Sequence, residues 1–201
     1  QGESSGLLAK PDYSSPKRES SSTESDKTPI FSDWEDEELR NLFTLAGTGE
    51  QLGATLGGAV GANTGANLRR LQSAINALRT ELAQAYVQGA GERTAKAERD
   101  FVRESFLPDP GGYPEGPQGA AAKFYGLLTY VDLQIRNIED RIQNLPEPVD
   151  KTNPKAVDDY NDRLNNLDRA RSRYQTIREE AKYVLRALGP DALYGPGAQE
   201  A

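Results

Sequence analysis

Residues 124–145 read FYGLLTYVDLQIRNIEDRIQNL, and apolar side chains recur in this stretch at alternating spacings of three and four residues. That alternation places them along one side of an α-helix and is typical of helices that pack against each other. Pro146 and Pro148 follow, and proline cannot continue a helix. We therefore predict a helix over 118–145. Its predicted core positions are Phe124, Leu128, Val131, Ile135, Ile138, Ile142 and Leu145.

A second long helix is predicted over 154–188. Asn153 precedes Pro154, which gives an N-cap followed by proline at the first helical position, and Gly189 ends the helix. Arg171 and Arg178 interrupt the heptad pattern, so we expect the apolar stripe to drift around this helix. The predicted core positions are Val157, Tyr160, Leu164, Leu167, Tyr174, Ala181, Leu185 and Leu188.

Two more helices are predicted before these. The first covers 68–88 and ends at Gly89 and Gly91. The second covers 94–106 and leads into LPDPGGYPEGPQG at 107–119, which is rich in proline and glycine and is predicted as an irregular loop. The apolar heptad positions of the 68–88 helix are Leu68, Leu71, Ile75, Leu78, Leu82 and Ala85.

A short helix is predicted over 33–46, because Ser32 and Glu35 have the spacing of a capping box. No strand pattern competes with these helices. The predicted fold class is therefore all-α, as an antiparallel helical bundle or coiled-coil hairpin with a long extended N-terminal tail. The predicted segments are a polar tail at 1–31, a capped helix with a Gly/Ala-rich stretch at 32–67, the bundle at 68–189 and a C-terminal tail at 190–201.

The composition argues against catalysis. Hydrophobic residues make up 36% of the 201 residues and the net charge is -7, which predicts a modest core with extended polar segments. Cysteine and histidine are absent, which removes the thiolate nucleophile, the usual general base and the commonest metal ligand. Tyrosines and carboxylates remain, but no spacing brings two of them into one pocket. We expect no enzyme activity, no metal, no cofactor and no small-molecule substrate.

Residues 53–65 read GATLGGAVGANTG and place a glycine at every fourth position. Small residues at this spacing allow close helix approach in an oligomer. The apolar part is too short to span a membrane alone, and a flexible linker is the other interpretation. We predict an oligomer packing seam, with membrane contact only as an oligomer. Its positions are Gly53, Gly57, Gly61 and Gly65.

Trp34 is the only tryptophan, and together with Phe31 it follows a serine-rich, charged stretch that is predicted to be disordered on its own. Interface cores favour tryptophan, so these two side chains could anchor the segment in a pocket of a partner. Packing onto the helices of the same chain is the alternative. We predict that Phe31 and Trp34 form a partner anchor.

Arginines concentrate along residues 163–186. A basic helix face could contact a phosphate backbone, although acidic neighbours dilute this one and the chain is acidic overall. Surface ion pairs along a long helix are the preferred interpretation. The candidate residues for weak nucleic-acid contact are Arg163, Arg169, Arg171 and Arg173.

The order of a polar tail, the Gly/Ala-rich stretch GATLGGAVGANTGAN and long helices resembles internal, ejection or tail-associated helical proteins of tailed bacteriophages. The stretch FVRESFLPDPGGYPEGPQGAAAKFYGLLTYVDLQIRNIEDRI is similar in style to helical modules of such proteins. The resemblance covers residues 47–189 and rests on arrangement and composition. It implies a protein stored in or on the particle and assembled as a ring or tube along the path of the genome.

These patterns together predict a non-enzymatic structural protein of a phage virion, with other copies of itself and other virion proteins as partners. The role would be virion architecture or genome ejection. The alternative is a bacterial envelope or secreted helical adaptor that uses the glycine-rich segment at a membrane. An enzyme with carboxylate chemistry is a third interpretation.

Overall fold

The computed structural model describes residues 30–47, 61–90, 105, 107 and 116–189. Within these ranges the chain forms four long or medium α-helices and no strand, which confirms the all-α prediction there. Most of the polar tail, Gly53, Gly57, nearly all of the predicted 94–106 helix and the C-terminal tail lie outside the described residues. The helices are α1 (Asp36–Gly47), α2 (Gly61–Ala90), α3 (Gly116–Gln143) and α4 (Pro154–Leu188).

The three long helices contact one another around a shared apolar core. The rings of Tyr130 and Tyr174 lie 6.4 Å apart, while Ile138 and Ala170 both pack beside Gly89, where a Cβ atom would lie within 3.6 Å of each. The later residue of α3, Ile138, therefore lies near the earlier residue of α4, Ala170. These two helices run antiparallel. The end of α2 fits between them because Gly89 has no side chain.

Helix α4 supplies the most regular part of the core. Its buried residues alternate by three and four, so the apolar stripe does not drift as predicted. Ala170 and Ile177 occupy the stripe, and the neighbouring Arg171 and Arg178 lie beside it in ion pairs with Asp168 and Asp132. The buried stripe is Leu167, Ala170, Tyr174, Ile177, Ala181, Val184 and Leu188.

The other two long helices differ in how closely they follow the predicted positions. On α2, five of the six predicted positions are buried, from Leu71 to Ala85, and Leu68 is half-buried. On α3, Leu127 is fully buried in place of Leu128, which is half-buried. Among the remaining predicted core residues, Val131 and Ile138 are buried, and Ile135, Ile142 and Leu164 are half-buried.

The start of α1 differs from the predicted capping box. The helix begins at Asp36, and residues 31–34 form a turn in which the Trp34 N–H donates to the Phe31 carbonyl at 3.0 Å. Ser32 is therefore not the N-cap. Burial of Phe31 and Trp34 in the core explains the difference, because packing of two large aromatic side chains outweighs a cap of about 1 kcal/mol.

A buried carboxylate holds this turn in place. Glu180 of α4 is 6% exposed, and its two oxygens accept the backbone N–H groups of Ile30 at 3.1 Å and Phe31 at 2.8 Å. Phe31 then packs edge-on against Phe124, which also meets Phe43 edge-on. The described packing thus includes residues 30 and 31, which lie in the segment predicted as a tail.

The C-terminal end of α4 is capped by α1. The Arg40 Nε–H donates to the carbonyl of Ala187 at 3.1 Å, which satisfies a carbonyl that the last turn of the helix leaves free. Gly189 ends the helix with a φ of 79°, in the left-handed region that favours glycine. A side chain at this position would also approach the Arg40 guanidinium.

We predict that Glu180→Gln lowers the free energy of unfolding by about 1–3 kcal/mol. A glutamine keeps one acceptor oxygen but turns an NH2 group toward the second backbone N–H, which leaves that buried donor without a partner. Urea unfolding followed by Trp34 fluorescence measures the change in the free energy of unfolding.

The matched control is Glu179→Gln, the neighbouring acid, which is exposed and pairs with Lys182 on the surface. We expect it to change the free energy of unfolding by less than about 0.5 kcal/mol. Equal effects of the two substitutions would contradict the role assigned to Glu180.

Candidate functional site

A cleft of about 450 Å³ lies beside the connection between α3 and α4. Its volume is within the range of sites that bind small ligands or the side chains of a partner. We call it the arginine cleft. It is lined by Gln88, Arg141, Asn144, Leu145, Pro146, Arg163, Asn166 and Leu167.

Local sequence signals position the walls of this cleft. The Asn144 side-chain amide donates to the Asp140 carbonyl at 2.7 Å at the end of α3, and Pro146 stops the helix from continuing. The Asn153 side chain accepts from the Ala156 N–H at 3.4 Å and caps α4. The chain reverses between these two caps and brings Arg141 of α3 and Arg163 of α4 to the same cleft.

Hydrogen-bond donors dominate the lining. Arg141 donates one N–H to the carbonyl of Gly89 at the end of α2, and its guanidinium has further N–H groups for another acceptor. The Gln88 side-chain oxygen accepts from Arg173 Nε at 3.0 Å. Because a guanidinium can only donate, the Gln88 NH2 group is the end left for other partners.

The electrostatics of the cleft follow from this lining. The described residues that line it include two arginines and no carboxylate. Arg163 is exposed and forms no ion pair among the described residues. Leu145, Pro146 and Leu167 supply apolar surface. The arrangement favours an anionic group that also carries aliphatic carbon, held by charge-assisted hydrogen bonds.

A second, smaller cleft of about 380 Å³ shares Arg141 with the first and is lined by Tyr86, Tyr174 and Asp140 among others. Burial raises the pKa of Tyr174 well above its usual range and also raises the pKa of Tyr130. Both hydroxyls therefore stay protonated at neutral pH, so neither acts as a base there.

The predicted partner anchor is corrected by the structure. Phe31 is fully buried and Trp34 is 4% exposed within the chain's own core. The Trp34 ring also carries the Arg70 guanidinium 4.3 Å from its centroid, and the Tyr183 hydroxyl donates to the Trp34 carbonyl. These side chains pack internally because α1, α2 and α4 together form a pocket for Trp34 within the same chain.

The four candidate arginines do not share one free face. Arg163 and Arg169 are exposed, whereas Arg171 pairs with Asp168 at 2.9 Å. Arg173 contacts Glu81 at 2.5 Å as well as Gln88, so it serves the packing of α2 on α4. Weak nucleic-acid contact through these arginines stays a prediction.

Of the predicted glycine seam, Gly61 and Gly65 lie in the first turns of α2. Gly53 and Gly57 lie outside the described residues. The seam itself therefore stays a prediction.

Sequence reasoning missed several residues with structural roles. Glu180 lies three positions after Ile177 and four before Val184, so the pattern already placed this acid on the apolar face of α4. That position was the available signal. Arg40 and Arg141 carried no comparable signal, because each donates to a carbonyl of a helix end that is distant in sequence.

Comparison with protein-family models, with curated proteins and with solved structures gives no match to this chain. In the part of the chain that the structure describes, no helix has the length and apolar character needed to cross a membrane. The same residues contain no group of three or more acidic side chains arranged to hold a metal ion.

We predict that stability falls above about pH 10 because of Tyr174. Its pKa is raised in the folded state, so its contribution is complete below the unfolded-state pKa of 10.0 and is lost as the pH rises beyond that value. Tyr174→Phe removes this loss, which we expect to be about 2 kcal/mol between about pH 9 and about pH 11.5.

Urea unfolding at a series of pH values measures the difference between the wild type and the variant. Tyr125→Phe is the matched control, because the Tyr125 side chain is 58% exposed. A pH profile of Tyr174→Phe that parallels the wild type would rule out this tyrosine as the cause.

Proposed function

We propose that this chain is a non-enzymatic assembly protein, built as an antiparallel helical bundle with an α3–α4 coiled-coil hairpin and an extended N-terminal tail. The regular three-and-four spacing of buried residues on α4 supports a rigid helical scaffold. Its charged interior contacts, from Glu180 to the backbone and from Arg173 to Glu81, serve packing.

The observation that carries the proposal is an apolar, outward-facing line on α3. Tyr125 is 58% exposed and Leu133 is 54% exposed, and they lie eight residues apart on one side of the helix with the exposed Thr129 between them. Val149 in the following connection is fully exposed. Exposed apolar surface of this kind on one side of a helix is what a protein partner would bury.

We propose other copies of the chain, and further structural proteins of the same particle, as its partners. The setting in a phage virion, with a role in its architecture or in genome ejection, is supported by the resemblance in arrangement over residues 47–189. A bacterial envelope or secreted adaptor is distinguished from it by flotation with liposomes, since only that protein requires lipid affinity as a monomer.

We predict that Tyr125→Ser combined with Leu133→Ser shifts the molar mass toward that of a monomer. Removing both apolar side chains removes the surface that association would bury. Light scattering coupled to size exclusion, at about 500 mM NaCl so that charged contacts are screened, measures the mass. The variant should keep its helical circular dichroism, because neither side chain is in the core.

Thr129→Ser combined with Asn137→Ser is the matched control on the same exposed side of α3. We expect it to associate like the wild type. A wild-type chain that stays monomeric alone and with co-produced particle proteins would refute the assembly function.

A second prediction concerns the proposed glycine seam. Gly65→Leu places a better helix former in the first turns of α2, so it should leave the free energy of unfolding of a monomer unchanged or raise it by up to about 1 kcal/mol. If the seam packs against another copy, the larger side chain blocks close approach and lowers the molar mass. Light scattering and urea unfolding on one sample separate these effects, and an unchanged mass would favour the linker.

A further inference from the structure

We propose that the arginine cleft of one copy binds the acidic segment at residues 33–37 of a second copy, so that copies associate head to tail. The inference rests on the proposed assembly function and names one of its contacts. Its two halves lie on the same chain: a donor-rich cleft beside the α3–α4 connection, and an exposed acidic turn at the start of α1.

The cleft offers unpaired positive charge on a chain whose net charge is -7. Arg163 has no carboxylate partner among the described residues, and Arg141 contacts only a backbone carbonyl there. The Gln88 NH2 group adds a neutral donor, because its oxygen already accepts from Arg173. Asn166 adds a further amide beside Arg163.

The acidic segment has the complementary chemistry. Asp33, Glu35 and Glu37 are exposed, and none of the three forms an ion pair within the described part of the chain. Glu38 differs, since it is half-buried and faces Arg70 at 3.9 Å. The aliphatic carbons of a glutamate side chain suit the surface that Leu145 and Pro146 present.

The segment is also held in a defined conformation before any contact forms. Glu180 accepts from the N–H groups of Ile30 and Phe31, and the Tyr183 hydroxyl donates to the carbonyl of Trp34. A rigid segment loses less conformational entropy on binding than a free one does.

The two halves cannot meet within one copy. The acidic segment packs near residues 180–183 of α4, whereas Arg163 and Asn166 lie roughly 20–30 Å away along the same helix at 1.5 Å per residue. The contact must therefore join different copies. Because it pairs two different surfaces, each added copy offers a free surface to the next, and the copies form a filament or close into a ring.

Charge exchange tests this contact. The cleft variant is Arg163→Glu with Asn166→Glu, and the segment variant is Glu35→Lys with Glu37→Lys. All four side chains are exposed, so folding is preserved, and circular dichroism with Trp34 emission checks it. The matched control is Asn165→Glu with Arg169→Glu, which makes the same charge change on α4 outside the cleft.

Sedimentation velocity at about 50 mM and about 500 mM NaCl measures the salt-sensitive part of the association. We expect the wild type and the control to associate about tenfold or more tightly at the lower salt concentration. Each charge variant alone should lose this salt-sensitive part. An equimolar mixture of the two variants should recover it, because the lysines of one now face the glutamates of the other.

Two results would overturn the head-to-tail contact while the assembly function stands: a wild-type association that both variants retain, or a mixture that recovers nothing. A wild type that is monomeric at both salt concentrations also overturns the head-to-tail contact, and it refutes the assembly function if the chain stays monomeric with co-produced particle proteins as well. Fluorescence anisotropy with a labelled single-stranded oligonucleotide tests whether the arginine cleft binds a nucleic acid instead. If the cleft variant loses oligonucleotide binding while its mass equals that of the wild type, the cleft binds a phosphate backbone and the proposal fails.

Discussion

The carboxylate of Glu180 is the constraint on which the arrangement of the described helices depends. It lies in an apolar core, where an unpaired charge would be costly, and within the described structure its oxygens accept from the backbone N–H groups of Ile30 and Phe31. That requirement draws the segment before α1 against α4. Phe31 then enters the core beside Phe124, and Trp34 closes the same end between Arg70 and Tyr183. Placement of α1 lets Arg40 cap the last turn of α4.

Helix α4 is the common partner of the other helices because its buried stripe repeats every three and four residues, which is the spacing of helices that pack against each other. The arginines that lie next to this stripe connect it laterally: Arg178 to Asp132 of α3 and Arg173 to Glu81 of α2. These contacts leave the arginines near the α3–α4 connection without carboxylate partners in the described structure. Arg141 and Arg163 thereby face one cleft, at the end of α4 that lies away from the exposed acidic turn.

The presence of a helix and its buried face were predictable where apolar residues recur over many turns, as on α2 from Leu71 to Ala85. The prediction of individual core positions was wrong where two neighbouring residues could each face the core. Leu127 and Leu128 are equally apolar, and only the position of α3 against Phe31 and Phe43 distinguishes them. The capping box at Ser32 failed for a related reason, since a local cap is weaker than the burial of two aromatic rings. The arginine cleft was not predictable, because its walls come from α2, α3 and α4.

The amino-acid sequence by itself determined the all-α class, the approximate extent of the long helices, the stop signals at Pro146 and Gly189 and the start signal at Pro154. These features follow from side-chain periodicity and local backbone chemistry. It also determined that histidine and cysteine chemistry is absent. Tertiary structure alone decided that Trp34 packs inward, that Arg173 belongs to the core contacts and that Arg141 and Arg163 face one cleft. Each of these outcomes depends on residues distant in sequence, whose proximity arises only when the helices pack together.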